Sequence, residues 1–378
     1  MNDETLQRRR PTTEPLVLHV IPTPQARGAQ REARALADAL DAPGLRVHRV
    51  LCLFDGAAEV RADLSLRIPS RGVAAAGFDP RVVLQLRSAL TRLDPSLVVA
   101  HGGDPLKYLV PASIGRRRPL AYYAIGTYAG GRLGPAQVRL WRALAARADV
   151  VAAEGDEVRE ECVRLLGVPA DRVTMTPNGR DPAVFSPRPA GPTSPVPMVT
   201  FVGALTDSKR PDRFVALVAA LRARGLGFRA QLIGDGPMRS ALEEPARAAD
   251  VQLLGSRDDV PALLSTSDLM VFPSRSTGEG MPGVLIEAGL CGIPVVATAV
   301  PGVRTVIIDG TTGLVVPENR FEPLVEATAR LIGDPLLRTT LGAAARARCL
   351  ERFTLDAVAR QWLGLLGPLL PAGPVAQD

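Results

Sequence analysis

Short apolar runs alternate along this chain with longer stretches in which apolar side chains return every three or four positions. The first kind reads as buried strand and the second as amphipathic helix. LVLHVI at Leu16–Ile21 predicts a strand and Ala29–Leu40 a helix. Further strands are predicted at Arg46–Leu53, Leu97–Ala100, Pro119–Ile125, Asp149–Ala153 and Val173–Thr176, with helices at Val82–Leu93, Ala136–Ala146 and Glu157–Leu166. A stretch with five prolines, Phe185 to Pro197, breaks the pattern and reads as a linker. The alternation then restarts. Strands are predicted at Val199–Val202, Ala230–Ile233, Val251–Leu254, Leu269–Phe272 and Pro294–Ala297. Helices are predicted at Asp212–Arg222, Arg239–Ala249, Val260–Leu264, Val284–Leu290, Phe321–Ile332, Leu336–Arg352 and Leu355–Leu366. The expected fold is α/β: two doubly wound, Rossmann-like domains facing each other across a cleft.

Length agrees with two domains, since 378 residues at roughly 150 per domain give two cores. Neither half needs a disulfide or a structural metal. Cys52, Cys162, Cys291 and Cys349 are far apart, without metal-ligand spacing. No apolar run approaches the ~20 residues that span a bilayer, and no signal-like apolar segment follows the N-terminal arginines. A cytoplasmic location is expected, with the cytosolic face of a membrane as the other option. Charge keeps that option open. Residues 1–180 hold 26 Arg/Lys against 19 Asp/Glu, and residues 181–378 hold 19 against 20. A basic half can meet an anionic membrane, and Arg116–Arg118 is one of its clusters. Yet 43 arginines against two lysines, Lys107 and Lys209, also indicate a general arginine bias. No nucleic-acid partner is expected.

Chemistry concentrates at Ser274–Thr298, SRSTGEGMPGVLIEAGLCGIPVVAT. A predicted strand ends at Phe272, a loop carries Glu279, and Gly280, Pro282 and Gly283 lead into a helix holding Glu287. Glycines let backbone N–H groups approach a ligand, and a helix N-terminus after such a loop suits a diphosphate. Carboxylates beside a phosphate cradle serve best as acceptors for hydroxyls. The combination describes a pocket for a nucleotide-sugar. IGDGP at 233–237 lacks the full GxGxxG, because Arg239 stands at its last position, so a dinucleotide fingerprint is set aside.

This segment resembles the signature of the family-4 retaining glycosyltransferases, which have the GT-B fold: EGMPGVLIEAGLCGIPVVAT against EGxPxxLLEAxxxGxPVVAT. Four further stretches are similar in the right order: FVGALTDSKRPD (201–212), LIGDGPMRSALE (232–243), the run 253–274, and PNGRDPAVFSP (177–187), which resembles PNGVDxxxFxP. Ala26–Leu40 resembles the first loop and helix of the family's acceptor domain. The resemblance implies an acceptor-binding domain at 14–184, the linker at 185–197, a donor-binding domain at 198–354, and a final helix, 355–368, that crosses back.

It also implies roles. Glu279 and Lys209 are the expected catalytic pair, Glu279 on donor hydroxyls and Lys209 on the leaving diphosphate. Glu287 is expected on the ribose. Backbone of Gly280, Met281, Pro282, Gly283, Val284 and Leu285 is expected on the sugar and diphosphate. Gly28, Gly203, Gly234 and Arg257 complete the implied donor site. Arg210 joins it as a replacement for the family arginine, whose position here is Ala204. His101, Gly126 and Thr127 are the acceptor-side candidates, and the cleft histidine of many members is missing after the strand near 119–125. Thr305 stands near the place of a later family glutamate. The implied reaction is retaining transfer of a hexosyl unit from a nucleoside-diphosphate sugar to an acceptor hydroxyl, with uridine favoured over guanosine as the base. No cofactor is implied and no metal required, and no Asp-x-Asp triplet occurs. The competing reading is a catalytically degenerate homologue that binds the nucleotide-sugar without transferring it.

Overall fold

The computed structural model describes residues 14–25, 28–42, 46–69, 77–126, 133–188, 196–277 and 280–371. Its first half runs β1 (Leu16–Ile21), α1 (Gly28–Leu40), β2 (Val47–Phe54), β3 (Leu64–Ile68), α2 (Pro80–Leu93), β4 (Leu97–His101), α3 (Gly103–Ala112), β5 (Leu120–Ala124), α4 (Pro135–Ala145), β6 (Val150–Ala153), α5 (Asp156–Arg164) and β7 (Val173–Met175). The second half runs β8 (Met198–Val202), α6 (Pro211–Ala223), β9 (Arg229–Ile233), α7 (Arg239–Ala248), β10 (Val251–Gly255), α8 (Val260–Ser265), β11 (Leu269–Phe272), α9 (Gly283–Leu290), β12 (Val295–Thr298), α10 (Val303–Val306) and β13 (Gly313–Val316). Helices α11 (Glu322–Gly333), α12 (Pro335–Arg352) and α13 (Leu355–Leu366) close it.

Among the described residues the first sheet has the order β3-β2-β1-β4-β5-β6-β7 and the second β10-β9-β8-β11-β12-β13. All their pairings are parallel. Both are doubly wound orders that reverse direction once, between β1 and β4 and between β8 and β11. Crevices open at the carboxyl ends of the strands at such reversals. Four elements escape the pattern reading: β3, α3, α10 and β13. β3 is half exposed at a sheet edge, so it lacks the continuous apolar run of a central strand. Helix α3 carries Gly103, Pro105 and Pro111, which hide it from a propensity reading.

The cores explain the tie between the halves. One face of the first sheet is filled by side chains such as Leu18, Leu51, Val98 and Tyr122. The other face gathers Val17, Leu36, Leu97, Val99 and Tyr123 around Val358, Trp362 and Leu366 of α13. Helix α13, beyond the second domain, therefore completes the first domain's core. The outgoing and returning segments touch. The Arg180 N–H donates to the Phe353 carbonyl (2.9 Å) and the Leu355 N–H to the Arg180 carbonyl (3.0 Å). The expected linker at 185–197 lies partly outside the described residues.

Candidate active site

The donor-side half forms where β8 and β11 end. Gly203 follows β8, and Gly234 follows β9 with its N–H on the Gly255 carbonyl (2.8 Å). Lys209, in the loop before α6, places Nζ 5.5 Å from the centre of the Phe272 ring, at the end of β11. Past the loop, α9 opens at Gly283 with Pro282 before it and no side-chain cap. Its first N–H groups therefore face outward, the arrangement that receives an anion. Two expected contributors drop out as amide donors: Pro282 has no N–H, and the Leu285 N–H already bonds the Pro282 carbonyl (3.1 Å). Gly280, Met281, Gly283 and Val284 remain. Glu279 and Thr127 lie outside the described residues.

Two other expected contacts are paired with local carboxylates. Arg210 adopts a left-handed backbone (φ 55°) and clasps Asp212 at 2.9 Å. It lines a cavity of about 460 Å³ with Arg213, Arg275 and Glu318. A local carboxylate thus occupies the cation expected to replace the missing arginine. Arg257 is exposed in the turn after β10 and pairs with Asp259 at 2.7 Å.

Glu287 lies in the second turn of α9 and meets a residue that the pattern reading left out. Arg180 donates from Nε to Glu287 Oε1 (2.8 Å) and from Nη1 to Glu32 Oε2 (2.7 Å). The Gly179 N–H donates to the other oxygen of Glu32 (2.7 Å). Burial opposes the charge on Arg180, but the two carboxylates outweigh it and hold its pKa above the usual value. Burial raises the Glu32 pKa, against the pull of Arg180. One clue was legible: Arg180 stands in the apolar slot of PNGVD. Glu32 gave no such signal, because a helical glutamate ordinarily faces water.

Other side chains join the halves. Asn178 bridges from the Tyr123 hydroxyl (2.9 Å) to the Met281 carbonyl (3.2 Å). Glu154, at the end of β6, accepts the Gly126 N–H. A Cβ added to Gly280 would lie 1.7 Å from Glu154 Oε1 and 2.9 Å from the Gly126 Cα. Gly126 is thus placed beside Gly280, across the cleft. Thr305 is a partner of Asp156, whose N–H donates to its hydroxyl (3.3 Å).

The acceptor-side half corrects one expectation. His101 does not follow β4; it is its last residue, in register with Tyr123, and only 2% exposed. Alternation along β4 puts it on the face of Leu97 and Val99, where its ring stacks on Trp362. His101 Nε2 bonds His19 Nδ1 (2.8 Å), and His19 Nε2 bonds His48 Nδ1 (2.9 Å). All three histidines of the chain therefore form one buried line across β4, β1 and β2. Burial lowers the pKa of His101 to about 3 and that of His48 to about 4, and pushes His19 well down. The rings are neutral, with one hydrogen per contact. His101 also walls a cavity of about 170 Å³ with Gln30, Gly102 and Asp104, at the starts of α1 and α3. Among the described residues, His101 Nδ1 and Gln30 Oε1 are buried without a hydrogen-bond partner. Gly28 is the first residue of α1.

Comparison with known proteins follows the same division. Residues 26–184 match the family described as Glycosyltransferase Family 4, and residues 196–334 the one described as Glycosyl transferases group 1. A D-inositol 3-phosphate glycosyltransferase of Kribbella flavida is 32% identical over 220 residues, 52% of this chain and 51% of that protein. The alpha-D-kanosaminyltransferase of Streptomyces kanamyceticus is 33% identical over 175 residues, 45% of each chain. The chain thus spans about half the length of these curated relatives. The crystal structure of Anabaena Alr3699/HepE in complex with UDP and glucose has a TM-score of 0.76 to this chain, at 21% identity. It covers 93% of this chain and 99% of that one. That likeness is one of fold: two facing α/β domains of the GT-B type.

Proposed function

Since the chain belongs to the family-4-like glycosyltransferases, with residues 26–184 matching Glycosyltransferase Family 4 and residues 196–334 matching Glycosyl transferases group 1, we propose that it transfers a hexosyl unit from a nucleoside-diphosphate sugar to an acceptor hydroxyl, with retention. The observation that carries this reading is the uncapped start of α9, together with Lys209, whose Nζ lies over the ring of Phe272 at the end of β11. A diphosphate laid there meets backbone N–H groups and a cation. Both become more favourable as negative charge grows on the oxygen of the breaking glycosidic bond. Glu287 accepts ribose hydroxyls, and Glu279 contacts donor hydroxyls. The departing oxygen takes the acceptor proton on the face it leaves. Contact between the halves excludes water, which would otherwise hydrolyse the donor.

The acceptor enters on the side of the first domain, where the cavity beside His101 and Gln30 suits a hydroxylated group. Uridine is the proposed base; HepE, similar in fold, was solved with UDP and glucose. In this reading the diphosphate is balanced by Lys209 and the helix start, so chelation of metal by EDTA leaves turnover unchanged. The proposed setting is cytoplasmic. No described helix is long and apolar enough to cross a membrane. Peripheral contact with an anionic membrane is tested by co-sedimentation with anionic vesicles.

A thermal-shift panel of nucleoside diphosphates and their sugars tests the donor site. A ligand at 100 times its Kd adds ~2.7 kcal/mol of stability. One base should raise the melting temperature of the wild type, and Glu287→Ala and Lys209→Ala should both lose that shift. No shift with any nucleotide would sink the reading. Binding without turnover would favour the degenerate homologue, for which Ala204 in the donor loop is the specific observation.

A further inference from the structure

Arg180 is a charged side chain at a domain crossing, and its backbone is fixed on both sides by residues 353 and 355. Its side chain reaches one carboxylate from each domain: Glu32 on α1 and Glu287 on α9. Glu32 is held from its other oxygen by the Gly179 N–H. The guanidinium also brings Nη2 against the start of α9, since a Cβ on Gly283 would come within 2.0 Å of it. Glycine at 283 makes this approach sterically allowed. The planar fork therefore has three constraints: Glu32, Glu287 and the backbone at Gly283. It engages only Oε1 of Glu287, which leaves Oε2 to meet a ligand hydroxyl.

We propose that Arg180 is a positioning residue for donor recognition: by gripping Glu287 Oε1 and anchoring it to Glu32 of the first domain, it presents Glu287 Oε2 to a ribose hydroxyl. The proposal rests on the reading of Glu287 as the ribose acceptor. Its physical basis is pre-organisation. A long carboxylate side chain samples several rotamers, and a hydroxyl held by a wandering acceptor loses the geometry of a hydrogen bond. A bidentate-capable guanidinium between two carboxylates removes that freedom, and lysine, a point charge without a fork, does so less well.

The test compares UDP with 2′-deoxy-UDP, and GDP with 2′-deoxy-GDP, by calorimetric titration of the full chain, with 3′-deoxy-UDP as a third probe. The wild type should prefer the intact ribose by ~10-fold, as expected for a hydroxyl on a charged acceptor. In Arg180→Gln that preference should fall toward unity, and in Arg180→Lys it should be intermediate. The melting temperature of each variant reports the fold independently. A role in folding alone would weaken intact and deoxy nucleotides by the same factor, leaving the ratio at its wild-type value, and that result overturns the proposal. Glu287→Gln separates the two levels. If it keeps the ribose preference, the reading of Glu287 fails and Arg180 falls with it. If it loses the preference while Arg180→Gln retains it, only the role of Arg180 fails. A wild type that binds none of the nucleotides overturns both.

Discussion

Three neutral imidazoles in a row carry a pH signature. His19, His48 and His101 are buried and stay unprotonated in the folded chain, with pKa values pushed down to about 4 for His48 and about 3 for His101. Unfolding releases them to an ordinary value near 6.5, where they take up protons. Below about pH 6.5 the unfolded state therefore binds more protons, and stability falls as pH falls. Above it the contribution is fully present. Each histidine adds at most ~1.4 kcal/mol per pH unit, so three give a slope of up to about 4 kcal/mol per unit between pH 6 and 4. Glu32 shifts the opposite way, as one group against three. Urea unfolding at pH 7.5, 6.0 and 5.0 should show this decline, and His48→Gln should remove about a third of the slope. Stability that does not decline with pH would mean that the row takes up protons in the folded chain as readily as in the unfolded one. At this scale the sequence was least informative. It could place His19 in a buried strand, but contact among residues 19, 48 and 101 depends on strand order, which no local pattern encodes. Arg180 was missed for a similar reason: its two partners lie 148 and 107 positions away.

Strands and helices were far more legible. Central parallel strands are buried on both faces and leave unbroken apolar runs, so β1 and β11 appear in the sequence with their observed bounds. Edges and proline-bearing helices lack that signature, which is why β3 and α3 were not seen. The glycine-rich turn from β11 into α9 was legible as an anion cradle, but its steric role was not. Gly280 lies against Glu154, which is 3% exposed and already bonded to the Gly126 N–H. A methyl group at 280 would overlap the carboxylate, and Glu154 has little room to swing away. The substitution Gly280→Ala should push the turn off Gly126 and shift the reacting groups. Misplacement by about 1 Å can cost about 100-fold in rate. Steady-state kinetics should show kcat falling by roughly that factor, while the melting temperature changes little. A normal kcat would mean that the two elements do not need to touch during turnover.

The two domains are not independent beads on a linker, because α13 returns to the first sheet after the second domain is complete. Trp362 is 1% exposed, and its ring meets Tyr123 edge-on at 5.2 Å and stacks on His101 at 6.4 Å. Replacing it by alanine removes the largest side chain of that core and should cost about 3–5 kcal/mol. The loss belongs to the first domain, since the cores of the second sheet contain no part of α13. At roughly 2–4 °C per kcal/mol for a domain of this size, the first domain should melt about 10 °C earlier. The second domain would keep its own transition, so a single calorimetric peak should split in two, a departure from two-state unfolding. Nucleotide then reports which half is which. UDP bound at β8, β11 and α9 should raise the upper transition of Trp362→Ala and leave the lower one nearly in place. In the wild type the coupled halves should move together. If UDP raised the lower peak instead, the nucleotide would be binding the first domain, and the assignment of donor and acceptor sides would have to be exchanged.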